Sequence, residues 1–337
     1  MTIQLTKQLA ALAAGVALTA VLAGSAMADP AIIYDLGGKF DKSFNEAGFN
    51  GATKWAKETG GTFHDLELQN DAQRPEAIRK FASAGYSPIV LPGFAWSDTL
   101  TKVAAEFPNI HFVLIDSVVD APNVESVVYK SNDASYLAGV LAAKKSATGK
   151  VGFVGGMDIP LIHAFYCGYL EGVMDTNPKA EVFENYTGTT PDAWNNPVGA
   201  GELAKADFDK GADIVYAAAG GSGLGVLQAA KDAGKLGIGV DSDQNYLQPG
   251  AVLTSVLKRV DVTVYDAFKN DASFKGGTTV QGLDKEGVGL AMDEFNKPLI
   301  TDDMLKAVDD AKAKIISGGI KVHDYTADNA CPTNSGT

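Results

Sequence analysis

Three aspartates, one lysine and several bare glycines recur at one kind of place in this 337-residue chain, the carboxyl end of a short apolar run. Asp35 closes Ala31-Ile32-Ile33-Tyr34, Asp116 closes Phe112-Val113-Leu114-Ile115, and Asp241 closes Ile238-Gly239-Val240. Lys258 ends the run from Ala251 to Leu257, Gly220-Gly221 follow Val215-Tyr216-Ala217-Ala218-Ala219, and Pro92-Gly93-Phe94 follow Ile89-Val90-Leu91. Carboxylates accept hydrogen bonds, whereas a lysine ammonium only donates them. That set suits a polyhydroxylated, uncharged ligand such as a ribose. It suits a free phosphate poorly, because one lysine cannot offset three acids. Flat surfaces stand nearby: Phe44 after the first run, Phe94 and Trp96 after the third, and Trp194 in Thr190-Pro191-Asp192-Ala193-Trp194-Asn195. Two rings on opposing walls could sandwich a planar base, at ~1–3 kcal/mol per stacked base. Core packing competes for each ring, but least for Trp194, whose neighbours are polar and carry no apolar period.

Other chemistries find less support. Gly221-Ser222-Gly223-Leu224-Gly225 with Asp241 downstream approaches a dinucleotide fingerprint, but the glycines are spaced GGxGxG rather than GxGxxG. A catalytic Cys167 with His163 one helical turn before it lacks an orienting third group. The four histidines show no HExxH or paired Cys/His spacing. There is no GxSxG elbow and no phosphate-loop lysine. A nucleoside hydrolase using acids among Asp35, Asp116 and Asp241 is the best enzymatic competitor. The expectation is therefore a binding protein that needs no cofactor and no metal.

These residues need elements to position them. Apolar, β-rich runs occur at 31–35, 62–68, 88–91, 110–115, 125–129, 150–155, 180–185, 212–218, 237–241, 251–257, 278–282 and 286–290. Stretches with helical apolar spacing alternate with them, at 44–58, 72–84, 97–106, 131–146, 160–175, 198–210, 222–233, 259–270 and 302–317. Such alternation predicts an α/β fold of parallel sheets flanked by helices. In open α/β sheets, ligands bind outside the carboxyl ends of the strands. Ser43-x-x-Glu46 has the form of a capping box for the first helix. A strand–loop–helix unit containing Gly48 and Gly51 is echoed by one containing Gly168 and Gly172. That echo predicts two lobes, 29–130 with 258–284 and 131–257 with 285–337, joined by three crossover hinge strands.

The N-terminus resembles an export signal. Lys7 precedes an apolar stretch from Leu9 to Leu22, and Ala26-Met27-Ala28 is a small-x-small cleavage signature. Cleavage after Ala28 would give a periplasmic protein. Leu22-Ala23-Gly24-Ser25 has serine where a lipidated cysteine would stand, so no lipid anchor is expected. The net charge of −13 disfavours nucleic acid and anionic lipid as partners. Cys167 and Cys331 are the only cysteines, a pair compatible with a disulfide in an oxidising compartment.

In serial order the chain carries D-x-G-G-x-x-D-K-S-F-N, G-F, F-x-x-I-D, G-G-M-D-x-P, W-N-N-P, A-G-G-S-G-x-G, G-V-D-x-D-Q and V-L-T-S-x-x-K-R. Together, over about residues 31–318, they resemble the basic membrane protein family. These are purine-nucleoside-binding components of ABC transporters with a type I periplasmic-binding-protein fold. The resemblance implies that Phe44 and Trp194 clamp the base and that Asp35 and Asn45 address its edge. Asp116, Asp241 and Lys258 would hold the ribose, and Gly220 would offer backbone. It also implies delivery to a membrane permease with its ATPase, by a monomer. Trp194 stands where some relatives have phenylalanine.

Overall fold

The computed structural model describes residues 28–331. The export segment, apart from Ala28, and residues 332–337 therefore lie outside the described part. In chain order the first half runs β1 (Ala31–Tyr34), α1 (Phe44–Thr59), β2 (His64–Glu67), α2 (Arg74–Ser83), β3 (Ile89–Pro92), α3 (Ser97–Val103), β4 (Phe112–Ile115) and β5 (Val124–Tyr129). Then come α4 (Ser131–Lys145), β6 (Lys150–Met157), α5 (Pro160–Thr176), β7 (Glu181–Gly188), α6 (Pro197–Asp209), β8 (Ile214–Ala218), α7 (Gly223–Asp232), β9 (Leu236–Asp241) and β10 (Val252–Lys258). The chain closes with α8 (Val260–Asn270), β11 (Gly277–Gln281), β12 (Val288–Leu290) and α9 (Asp302–Ile316).

Two six-stranded sheets result, ordered β11-β5-β4-β3-β1-β2 and β12-β10-β9-β8-β6-β7. Strands β1, β3, β4 and β8 are buried along their whole length. Burial on both faces explains why they are continuous apolar runs rather than alternating ones. All pairings in the first sheet are parallel. The second sheet departs from the all-parallel expectation, because β12 pairs antiparallel with β10. The cause is topological: β12 enters after a short connection from β11 in the other sheet, without the crossover helix that parallel pairing needs. The chain passes between sheets after β5, after β10 and after β11.

The glycines of the echoed unit have a packing role. A Cβ at Gly51 of α1 would collide with the Asp261 carbonyl of α8. On α5, Gly168 and Gly172 press against the carbonyls of Asn132 and Tyr136 in α4. Each lobe thus brings two helix backbones into direct contact at its crossing. Cys167 of α5 is disulfide-bonded to Cys331, with Cα atoms 5.2 Å apart. The bond straps the C-terminal tail over α5, where Tyr325 stacks on His163 at 4.6 Å between ring centroids. Among the described residues no helix is long and apolar enough to cross a membrane.

Candidate ligand-binding site

The carboxyl ends of the two sheets face each other across a chamber with about 600 Å³ of space free of protein atoms. Its lining includes Asp35, Phe44, Asn45, Phe94, Asp116, Trp194, Gly220, Asp241 and Lys258, so nearly every residue singled out from sequence converges here.

Trp96 does not. It is fully buried in the core of the first lobe, and its indole Nε1 donates to the Pro92 carbonyl at 3.0 Å. A 3₁₀ turn over Phe94–Trp96 sends Phe94 toward the chamber and Trp96 inward. The spacing of two aromatics in Phe94-Ala95-Trp96 carries no sign of that turn.

The backbone at two strand ends is unusual. Asp116 has φ 72° and Asp241 φ 64°. Left-handed conformations are uncommon for residues other than glycine and concentrate at functional sites. Asp116 forms a buried ion pair with Lys258, whose ammonium also lies 4.9 Å from the centre of the Phe44 ring and 5.8 Å from that of Phe165. Asp241 accepts a hydrogen bond from the Ser43 hydroxyl at 2.5 Å. Burial raises the Asp241 carboxyl to about pH 6, against the lowering effect of Lys258 and the Ser43 bond.

Ser43 therefore does not cap α1 as the capping-box pattern predicts. Its side chain makes no cap bond; it reaches to Asp241 and the Val240 carbonyl in the second lobe. Asp41 replaces it, accepting from the backbone N–H groups of Ser43 (2.8 Å), Asn45 (3.0 Å) and Glu46 (3.1 Å). Burial pushes the Asp41 carboxyl up to about 7, despite those three donors. Further bonds bridge the lobes: Ser242 Oγ donates to Ser43 O at 3.0 Å and Gln244 Nε2 to Lys42 O at 2.9 Å. The two lobes are thus in direct contact.

Asn45 is largely committed to its own loop. Its Nδ2 donates to the carbonyls of Asp35 (3.1 Å) and Gly38 (3.2 Å), and its Oδ1 accepts from Asp35 N at 3.3 Å. The six-membered ring of Trp194 lies against Gly156, where any Cβ would overlap it. Its loop is pinned by Ser222 Oγ, which donates to Ala193 O at 2.7 Å and accepts from Asn196 N at 2.6 Å.

The structure adds Leu36, Asp41, Leu161, Ile162, Phe165, Ala218 and Val240 to the lining. Phe165 was hidden because α5 is apolar on nearly every side, so periodicity does not single out the face that meets the chamber. Pro160, which opens the helix after Gly155-Gly156-Met157, was the available signal. The chamber walls are mainly apolar and its charge is mainly negative, with Lys258 the single lining cation among the described residues.

Two lobes built on mainly parallel sheets, crossed three times by the chain and holding a chamber between their strand ends, define a bilobal solute-binding protein. Residues 30–326 match the Bmp family, described as ABC transporter substrate-binding protein PnrA-like, and the chain belongs to that family. It is 35% identical over 319 residues to the ABC transporter nucleoside-binding protein BmpA of Lactococcus lactis, covering 87% of this chain and 88% of that one. An uncharacterized lipoprotein of Pyrococcus horikoshii is 34% identical over 277 residues, 77% of this chain and 67% of that one. Among solved structures, an ABC transporter solute-binding protein from Aeropyrum pernix superposes with a TM-score of 0.81 at 29% identity, covering 91% of this chain and 94% of that one.

Proposed function

We propose that this substrate-binding protein captures a purine nucleoside of the inosine, guanosine or adenosine type in the inter-lobe chamber and delivers it to a membrane permease driven by an ATPase. The observation that carries the reading is the Asp116–Lys258–Asp241 group beneath the rings of Phe44 and Phe165. Buried acids beside a neutralised lysine favour neutral hydroxyls over phosphate, as a ribose diol requires. Trp194 and Phe44 offer faces for the base, and Asp35 offers a carboxylate for its edge. The nucleoside-binding name of the Lactococcus relative agrees with this choice.

Binding works by hinge closure. Ligand contacts from both lobes exist together only in the closed form, so occupancy shifts the open–closed balance. The protein acts as a monomer in the periplasm, exported by residues 1–28 and, with Ser25 in place of a lipidated cysteine, free of a lipid anchor.

Mass spectrometry of ligand released from the purified protein, with titration calorimetry of inosine, guanosine, adenosine, free purine bases and ribose, tests the reading. Micromolar or tighter nucleoside binding, ~8 kcal/mol or more, is expected. Preference for a free base or a sugar would replace the nucleoside with that ligand. Release of free base from inosine would make the protein a hydrolase.

A further inference from the structure

Arg74 lies behind the chamber wall and is 3% exposed. Its Nη2 meets Asp35 Oδ1 at 2.5 Å, and its Nε and Nη2 meet Asp71 Oδ1 at 2.9 and 2.8 Å. The guanidinium lies 4.5 Å from the centre of the Trp96 ring. Trp96, withdrawn from the chamber, is thus the platform on which this arginine rests. Nη1 is buried with no hydrogen-bond partner among the described residues.

An unpaired buried donor costs free energy, and a buried ion pair is weak evidence of stabilisation in its own right. The arrangement therefore calls for a purpose other than packing. Asp35 shows one. Its Oδ1 is occupied by Arg74 and by Leu36 N at 2.7 Å, while Oδ2 lies over Gly93 with no protein donor among the described residues. One oxygen is clamped and the other is left for a ligand. Burial pushes the Asp35 carboxyl up, Arg74 pulls it down, and Asp71 works weakly upward. Asp41 and Asp116 on the same wall, and Asp241 and Lys258 across the chamber, are the other charged groups that line it. Without the guanidinium the acid would protonate more readily, and a protonated carboxyl is a donor as well as an acceptor.

We propose that Arg74 is a positioning residue that keeps Asp35 an oriented hydrogen-bond acceptor, so that the chamber takes ligands presenting an N–H or O–H donor at that wall. The proposal rests on the binding function above and deepens it. It assigns selection at the base edge to a residue that does not touch the ligand.

The test is a pH series on wild type, Arg74→Gln and Arg74→Lys, with inosine as probe. The ratio of Arg74→Gln to wild-type dissociation constants should fall toward one at alkaline pH and grow as pH is lowered through the Asp35 titration, to a ceiling of about tenfold if the carboxyl midpoint rises by about one unit. Taking the ratio removes the titrations of Asp41 and Asp241, which both proteins share. Arg74→Lys restores a cation and should keep the ratio near one throughout. A pH-independent ratio, or one near unity at every pH in Arg74→Gln, would overturn the proposal, since a purely structural loss does not follow the titration of one carboxyl. Carbon-13 NMR titration of the Asp35 carboxyl in ligand-free protein decides the same point without any probe. Its midpoint should rise in Arg74→Gln and hold in Arg74→Lys. Should wild type bind no inosine, the ligand reading fails while the NMR titration still decides the role of Arg74.

Discussion

Asp241 sits in a left-handed backbone conformation with its carboxyl buried, accepting from Ser43 and attracted by Lys258. Its midpoint of about 6 lies above that of an unfolded aspartate, so the folded state holds the proton more tightly. The stability it contributes is fully present below the unfolded midpoint, near pH 4, and is lost as pH rises through 6. Asp41, raised to about 7, adds a loss of the same sign up to that pH. Asp241→Asn should therefore raise the unfolding temperature of ligand-free protein at pH 8, by stabilisation on the order of 2 kcal/mol, and change it little at pH 4. It should weaken nucleoside binding at least tenfold, because an amide returns one acceptor and one donor group in place of two acceptors. A lowered unfolding temperature at every pH would mean that this carboxylate serves the fold instead. Trp194→Ala should cost ~1–3 kcal/mol of binding by the stacking estimate; an unchanged affinity in calorimetry removes the ring from the site. At this scale much was legible: Asp35, Asp116, Asp241 and Lys258 each end an apolar run, and strand ends are where open α/β sheets keep their sites. Trp96 and Phe165 were not, because the direction of a side chain from a turn or an all-apolar helix depends on backbone geometry that spacing does not record.

At the level of elements, the start of α1 shows how a correct helix boundary can come with the wrong cap. Phe44 opens the helix where the pattern places it, yet the cap is Asp41 and the Ser43 hydroxyl crosses to a carboxylate 198 residues away. Local sequence rules weigh only local partners, so a cross-lobe acceptor is invisible to them. The two assignments predict different mutants. Ser43→Ala should leave the hydrogen-exchange protection of the first α1 turn intact, since Asp41 still accepts from three N–H groups. It should speed nucleoside dissociation about tenfold, because a hydrogen bond to a charged group is worth ~1.5–3 kcal/mol and this one exists only when the lobes meet. Loss of protection at Ser43-Phe44-Asn45-Glu46 with unchanged dissociation would restore the serine as cap. The helices and strands themselves were readable because their apolar periods differ and because the sheet interiors, covered on both faces, demand uninterrupted β-branched runs. The antiparallel β12 was the exception, since its direction follows from where the chain crosses between lobes rather than from its own three residues.

For the molecule as a whole, the proposed closure would act through the crossings. Lys258 ends β10 at one of them, pairs with Asp116 of the other lobe, and is followed at once by α8, which packs on α1 of the first lobe. A ligand held by Asp116 and Asp35 from one side and by Asp241, Trp194 and Lys258 from the other would tie both lobes into one unit. The two-lobe division was foreshadowed by the echoed glycine-bearing unit; the closed contact surface between lobes was not, because it is written in pairs such as Ser242–Ser43 and Gln244–Lys42 that no periodicity links. Small-angle scattering should show the protein contract when nucleoside is added. Moving the closed-to-open ratio from 1:99 to 99:1 requires a ligand that prefers the closed form by about 5.5 kcal/mol. Saturation at a hundred times the dissociation constant should add ~2.7 kcal/mol to stability. That gain should appear as one cooperative unfolding transition, because a bridging ligand is lost when either lobe melts. A ligand that stabilised only one of two separate transitions would be bound by a single lobe, and the chamber between the sheets would then not be its site.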